Sequence, residues 1–543
     1  MGAKAAKAKS ITGKVPIDLP PGGPITIQPP PFAPAAPGGG TGGTPWKPHF
    51  RDALPDAPVG LPEEHEGEII VELKPDAITL SRANPLGMAS TLVELLAMLQ
   101  RQNGLLRVEP LWPVGVSLFP KLPPLVMRML PPAIREFVLM MSANQPVAAE
   151  PGFADLREDA RLRLKLTLDP SKPTADAIKS LLTHAGVAFA EGIPYRWVPV
   201  FDPFTQSEMQ QIFTPPPQPG DEPQYYAGPN GYWGRTEVFA PDVWTEYELD
   251  NIAILDSGCD EKHVALQDAV TWLTPESRTD LAAHGTFVAG IIAARSTVAS
   301  QDLDGRIDPE HKADVERGLL PKAKLTVMNI MSRKPKYDET GRAYYPVDPG
   351  RYSQGLAKIA KMKKIRVLNL SIGGPKPTSK TEAKDLAALE KAGVVVVASA
   401  GNGRDNSDPV LYPALYDTSL SVGAIRFTEP RHAPWDKSRS SFPDNYSGGR
   451  ESAVDVWAPG EWILSAVPMD AGRDIIFSGW QNGTSMASPF VTATAAVLCA
   501  KFPEATPAEI RQMISELKRQ GMDDNLLMMD GGGRRLVCDS VTL

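Results

Sequence analysis

The chain has 543 residues, 22% of them charged and 42% hydrophobic, with a net charge of -8. That length allows two or more domains with an ample core. The acidic balance gives no reason to expect a nucleic-acid partner, and no uninterrupted apolar run reaches the ~20 residues that span a membrane.

The opening stretch Met1-Gly2-Ala3-Lys4-Ala5-Ala6-Lys7-Ala8-Lys9 is basic, but no apolar segment follows, so it does not read as a secretory leader. The three cysteines, Cys259, Cys499 and Cys538, supply no disulfide framework. Together these features predict a cytoplasmic location. Residues 1–60 are dense in proline and glycine, with Pro29-Pro30-Pro31 and Gly38-Gly39-Gly40 among them, and are expected to be disordered. Gly38 to Thr44 lacks the Lys-Ser/Thr pair and the preceding strand of a phosphate loop.

Residues 61–202 carry a recurring pattern. Glu68 to Leu73 alternates like a strand, Thr91 to Gln100 is a helix candidate, and Leu105 to Glu109 returns as a strand. Arg161 to Leu166, Thr174 to Ala185 and the segment from Val187 repeat the sequence of elements. Two βαβ units predict a ferredoxin-like α+β domain, with Pro110 to Asp159 as an inserted helical piece. Within that piece Leu122 to Met141 is apolar but broken by Pro131, Pro132, Arg128 and Arg135, which predicts one or two amphipathic helices. Residues 203–224, with Pro215-Pro216-Pro217 and Pro219-Gly220, read as a linker.

From residue 225 to 543 apolar strands alternate with helical segments. Asn251 to Leu255, Leu325 to Ile330, Val367 to Leu370 and Val394 to Ala398 predict a parallel sheet covered on both faces. Lys358, Lys361, Lys363 and Lys364 read as a solvated face. The first strand runs into Asp256-Ser257-Gly258, and His284-Gly285-Thr286 opens the helical run Phe287 to Ala294. Gly483-Thr484-Ser485-Met486-Ala487-Ser488-Pro489 sets a serine between a tight turn and the apolar run Phe490 to Leu498, with Pro489 expected in the first helical turn. Singly, each motif is ordinary turn or cap punctuation. Jointly they hold the parts of nucleophilic catalysis. A hydroxyl needs a base to take its proton, neutral histidine is that base near neutral pH, and a carboxylate fixes the histidine tautomer.

Further motifs follow in order: Leu368-Asn369-Leu370-Ser371-Ile372-Gly373-Gly374, Val394 to Asn402, Leu420 to Ala424 and Asp455 to Gly460. On all of these the chain resembles the subtilisin-like serine proteases, the subtilases, over about residues 225–543. The resemblance implies an α/β fold, a subtilisin-like parallel sheet with helices on both faces. The smaller α+β domain before it is similar in pattern to the family's propeptides, which chaperone and inhibit their own enzymes. The implied activity is that of a serine endopeptidase acting on protein or peptide substrates through an acyl-enzyme. Asp256, His284 and Ser485 would form its triad, and Asn402 would supply the oxyanion hole. Ser371, Ile372, Gly373, Gly374, Ala398, Ser399, Ala400 and Gly401 would bind substrate.

No metal and no cofactor is expected for catalysis. Asp302, Asp304 and Asp308 offer oxygen ligands for a structural calcium without the full EF-hand pattern, and His263 has no expected metal role. Residues 61–202 would restrain the enzyme or dock a regulatory protein partner, with self-cleavage expected between Gln206 and Gln224. The alternative is a catalytically silent, peptide-binding protein of the same fold.

Overall fold

The computed structural model describes residues 61, 63–74, 85–111, 124–143, 163–199, 233–238, 240–275, 279–295, 317–341, 343–374, 379–402, 410–425, 441–442, 454–468, 478–517 and 534–543. The proline- and glycine-rich start, the 203–224 linker with its expected cleavage window, and the Asp302–Asp308 calcium candidate lie outside these residues.

The first region follows the predicted order: β1 (Glu64–Leu73), α1 (Pro85–Asn103), β2 (Leu105–Pro110), α2 (Pro124–Met129), α3 (Pro132–Ala143), β3 (Arg163–Leu168), α4 (Thr174–Leu182) and β4 (Val187–Pro194). Its strands form an antiparallel sheet in the order β2-β3-β1-β4, the ferredoxin-like arrangement. The inserted piece supplies the two helices α2 and α3. Alternation in β3 sends Leu164, Leu166 and Leu168 into a core with Ile69, Val71, Leu96, Leu99, Ile134, Phe137 and Leu181. The opposite face of β3 carries Arg163 and Lys165, and both are buried. Arg163 makes a two-pronged ion pair with Asp385 at 2.7 and 2.8 Å and a further contact with Glu72 at 3.2 Å. This polar sheet face is therefore a docking face and not a solvated one.

The elements that follow include β5 (Trp197–Pro199), β6 (Ile252–Asp256), β7 (Val270–Trp272), α5 (His284–Ala293), β8 (Leu325–Asn329), β9 (Lys336–Tyr337), β10 (Ala343–Pro346), α6 (Pro349–Ile359), β11 (Val367–Leu370) and α7 (Lys380–Lys391). They continue with β12 (Val395–Ser399), β13 (Ser419–Ile425), β14 (Ser441–Phe442), β15 (Val456–Pro459), β16 (Ile463–Ala466), β17 (Ser478–Gln481), α8 (Thr484–Lys501), α9 (Pro507–Glu516) and β18 (Arg534–Arg535). The central sheet runs β18-β15-β13-β12-β11-β6-β8-β7, every neighbour parallel, with β14 antiparallel on β13.

Period-two alternation splits the strands between two cores. Ile252, Ile254, Val395 and Val397 pack with α5 and α8, while Ala253, Leu255, Val396 and Leu368 pack with α6 and α7. α8 is apolar around most of its circumference, as a helix buried on all sides must be. α6 and α7 are amphipathic and begin at the caps Asp348 and Ser379, whose side chains accept the N–H groups of Arg351 and Glu382. Among the described residues no helix is long and apolar enough to cross a membrane.

The connection between β4 and β5 is joined to α7 by a buried pair. The Arg196 guanidinium donates to Glu382 at 2.7 and 3.3 Å, with 2% and 5% of the two side chains exposed. Removing the carboxylate strands a buried cation, which costs ~3–5 kcal/mol. Glu382→Ala is therefore expected to lose about that much unfolding free energy in urea titration.

Candidate active site

Strand order reverses at β6. From it the chain moves to β7 and β8 on one side, then crosses to β11, β12 and β13 on the other. Sheets of this kind open a crevice outside the carboxyl ends of their strands at such a point. Asp256 is the last residue of β6, Ser371 follows β11, and Asn402 follows β12, so three polar residues emerge at one edge of three adjacent strands.

Asp256 and His284 meet there, both fully buried. His284 Nδ1 lies 2.7 Å from Asp256 Oδ1. A carboxylate only accepts, so this contact puts the proton of the neutral ring on Nδ1 and the lone pair on Nε2. Asp256 Oδ1 also accepts the Ser257 N–H at 2.6 Å. His284 is the first residue of α5, preceded by Ala283 in the left-handed conformation with φ 59°.

Asp280 ties the two motifs together. Its Oδ1 accepts the Ser257 hydroxyl at 2.6 Å, and its Oδ2 accepts the Thr286 N–H and hydroxyl at 2.8 and 2.6 Å. The Ser257 hydroxyl in turn accepts the Gly285 N–H at 2.9 Å. One carboxylate thus holds the residue after Asp256 and the helix start carrying His284. Burial pushes the Asp280 carboxyl above its usual range against the pull of these hydrogen bonds, and the charge of Asp256 adds to the rise.

Ser485 is the second residue of α8, half-buried among fully buried neighbours. Gly483 precedes the helix with φ 136°, a conformation side chains rarely adopt. Pro489 stands in the second turn of the helix and not in the first, because α8 begins at Thr484. Its missing N–H leaves the Ser485 carbonyl without the usual i+4 donor. The Ser371 hydroxyl donates to that carbonyl instead, at 3.1 Å, and the Ser485 hydroxyl lies 3.5 Å from the Ser371 carbonyl.

Asn402 joins the same cluster through Thr484. Its Oδ1 accepts the Thr484 N–H at 2.9 Å and the Thr484 hydroxyl at 3.0 Å. Only oxygen can accept from a backbone N–H, so the amide is oriented and its Nδ2 donor faces away from Thr484. The Thr484 hydroxyl also accepts the Gly401 N–H at 3.1 Å.

The backbone at Gly373 and Gly374 is already engaged. Trp197 exchanges hydrogen bonds with Gly373 at 3.0 and 3.4 Å, and Tyr412 does so with Gly374 at 3.0 and 3.1 Å. A side chain at Gly374 would clash with the Tyr195 carbonyl oxygen. Leu411 packs against both Gly373 and Gly401. Ile372, Ala398 and Ala400 point into the core, and Ser399 is buried at the end of β12. His263 is also buried, and its Nδ1 accepts the Ala265 N–H at 3.1 Å as a cap. Among the described residues no cluster of His, Cys, Asp or Glu could hold a metal ion.

A model of the subtilase family matches residues 251–533, which spans more than half of the chain and includes Asp256, His284, Ser371, Asn402 and Ser485. The chain belongs to the subtilase family. Over 296 residues this subtilase is 31% identical to Subtilisin E of Bacillus subtilis, covering 52% of this chain and 64% of that protein. It is 31% identical to a subtilisin of Bacillus pumilus, covering 52% of this chain and 89% of the other. An intracellular serine protease of Paenibacillus polymyxa is 29% identical over 281 residues, covering 49% of this chain and 72% of that one.

Several residues of the candidate site escape sequence reasoning. Asp280 stands four positions before His284 in a polar loop, with nothing local to separate it from any exposed aspartate. Leu411 and Trp197 carry no motif, and Thr484 reads as turn filler. Asp280→Asn replaces an acceptor with a donor facing Thr286 or Ser257. Differential denaturation should show a loss of ~1–3 kcal/mol. Because the folded carboxyl titrates above its unfolded value, its stabilising contribution is full below the usual carboxylate range. It is lost as pH rises through the raised midpoint, and this acid-range dependence should vanish in Asp280→Asn.

Proposed function

We propose that the protein is a serine endopeptidase whose activity is held down by its own N-terminal region. Ser485 attacks a peptide carbonyl while His284 Nε2 takes the hydroxyl proton and Asp256 steadies the imidazolium. The Asn402 Nδ2 and the Ser485 N–H at the start of α8 face the developing oxyanion, where the helix dipole also favours negative charge. His284 returns the proton to the leaving amine, and water then resolves the acyl-enzyme by the same path.

The observation that carries this reading is the buried 2.7 Å contact between His284 Nδ1 and Asp256 Oδ1. A histidine so held keeps the correct tautomer for a base at the mouth of the crevice. Membership of the subtilase family and the order of the three motifs support the same assignment.

The restraint rests on strand addition. Peptides bind sheet edges by pairing backbone groups. The edge at Gly373 is paired with Trp197, and β5 also pairs with β10 on its other side. The segment Arg196–Pro199 thus lies as a strand between two edges, with the Val347 N–H donating to Arg196 at 2.8 Å. Glu191 fastens the N-terminal region nearby by accepting the N–H groups of Lys380 and Thr381 at the start of α7. Any substrate strand must displace Trp197 to use Gly373.

A fluorophosphonate probe tests both parts, since it reacts only with an activated serine. The wild type is expected to label at one site and Ser485→Ala to show none. Trp197→Pro, which deletes the N–H given to Gly373, is expected to cleave a peptide library several times faster. A wild type that never labels would favour the silent peptide-binding alternative. Labelling with unchanged peptide cleavage in Trp197→Pro would remove the restraint and leave the peptidase.

A further inference from the structure

We propose that Thr492 and Asn369 are a positioning pair that holds Ser371 against Ser485, so that the reactivity of Ser485 depends on a hydroxyl two helical turns away. The inference rests on the peptidase reading of Ser485.

Two periodicities build it. Thr492 follows Ser485 by seven residues in α8, which returns it to the same helix face. Asn369 in β11 precedes Ser371, the residue just past its end, by two, which puts both on the same side of the extended chain. The helix and strand therefore meet at two rungs, Ser485 with Ser371 at the crevice and Thr492 with Asn369 inside. The Thr492 hydroxyl donates to Asn369 Oδ1 at 2.9 Å, and Asn369 Nδ2 donates to the Ser371 hydroxyl at 3.0 Å. The Ser371 hydroxyl in turn donates a hydrogen bond to the Ser485 carbonyl at 3.1 Å. All three donors point the same way, so each bond polarises the next.

Asn369 is fully buried between Leu368 and Leu370 in a strand apolar on both sides. An amide there is costly unless both of its ends are bonded. Its oxygen is bonded by Thr492 and its nitrogen bonds Ser371, so the amide cannot flip without losing both contacts. That fixes the Ser371 hydroxyl as a donor toward the one carbonyl that Pro489 leaves open. The carbonyl of the same residue stands 3.5 Å from the Ser485 hydroxyl. Without the Thr492 hydroxyl, Asn369 Oδ1 has lost its donor, the amide can turn, and Ser371 is no longer aimed.

The test uses the full chain and two variants. Thr492→Val keeps the shape and deletes the donor, whereas Thr492→Ser keeps the donor. Fluorophosphonate labelling at several probe concentrations separates the maximal rate from the half-saturating concentration. Small misalignments of reacting groups lower rates steeply, so Thr492→Val should lower the maximal rate about tenfold and leave half-saturation within about twofold. Thr492→Ser should restore the rate to within about twofold of wild type. A role confined to packing would lower the melting temperature of Thr492→Val and spare its maximal rate, and that result overturns the proposal. Equal losses in the valine and serine variants overturn it too. A wild type that does not label defeats the peptidase reading itself, and the positioning pair with it.

Discussion

A parallel sheet buried on both faces can offer polar side chains to a ligand only where its strands end. Every residue of β6 before Asp256 is apolar and sealed between two helical layers, and β12 is sealed in the same way. Asp256, Ser371 and Asn402 are therefore delivered together at one edge by three adjacent strands whose register leaves them no other place. α5 and α8 pack against each other on one face and bring His284 and Ser485 to the edge at their N-termini. Desolvating the Asp256 carboxylate is offset by the imidazole and by the Ser257 N–H. Asp280 then braces both partners from behind.

The same edge explains how the N-terminal region engages the rest of the chain. Backbone groups at a sheet edge are generic, so whatever strand arrives first can use them. Trp197 reaches Gly373 because β4 leads directly into β5, and the preceding sheet is anchored on α7 by Arg163, Glu191 and Arg196. In the proposed enzyme, inhibition and substrate binding are one physical event with two competing occupants. On that proposal, charge on the anchoring face would set the position and backbone hydrogen bonds at the crevice would do the blocking.

Much of this was legible in the residues. The apolar runs before Asp256, Ser371 and Asn402 show where strands stop, and the repeated βαβ pattern announces the N-terminal sheet. Other features were not legible, for identifiable reasons. Pro489 looks like a first-turn proline until the helix start at Thr484 puts it a turn deeper, where it frees the Ser485 carbonyl. Asp280 looks like any loop aspartate until folding brings Ser257 and Thr286 onto its two oxygens. Asn369 stands inside a recognised motif, but its bonds to Thr492 and Ser371 join segments that no local pattern brings together.

The amino-acid sequence by itself determined the alternation of strands and helices, the two-layer covering of the sheet, and which side chains carry acid, base and hydroxyl chemistry. These are local matters of periodicity and residue type, readable a few positions at a time. Only the tertiary structure decided that the charged face of β3 is a dock and not a solvated surface. It alone decided that Trp197 occupies Gly373, and that Thr492 and Asn369 meet behind Ser371. Each of those depends on segments far apart in the chain arriving in one register, and no local pattern encodes the distance between them.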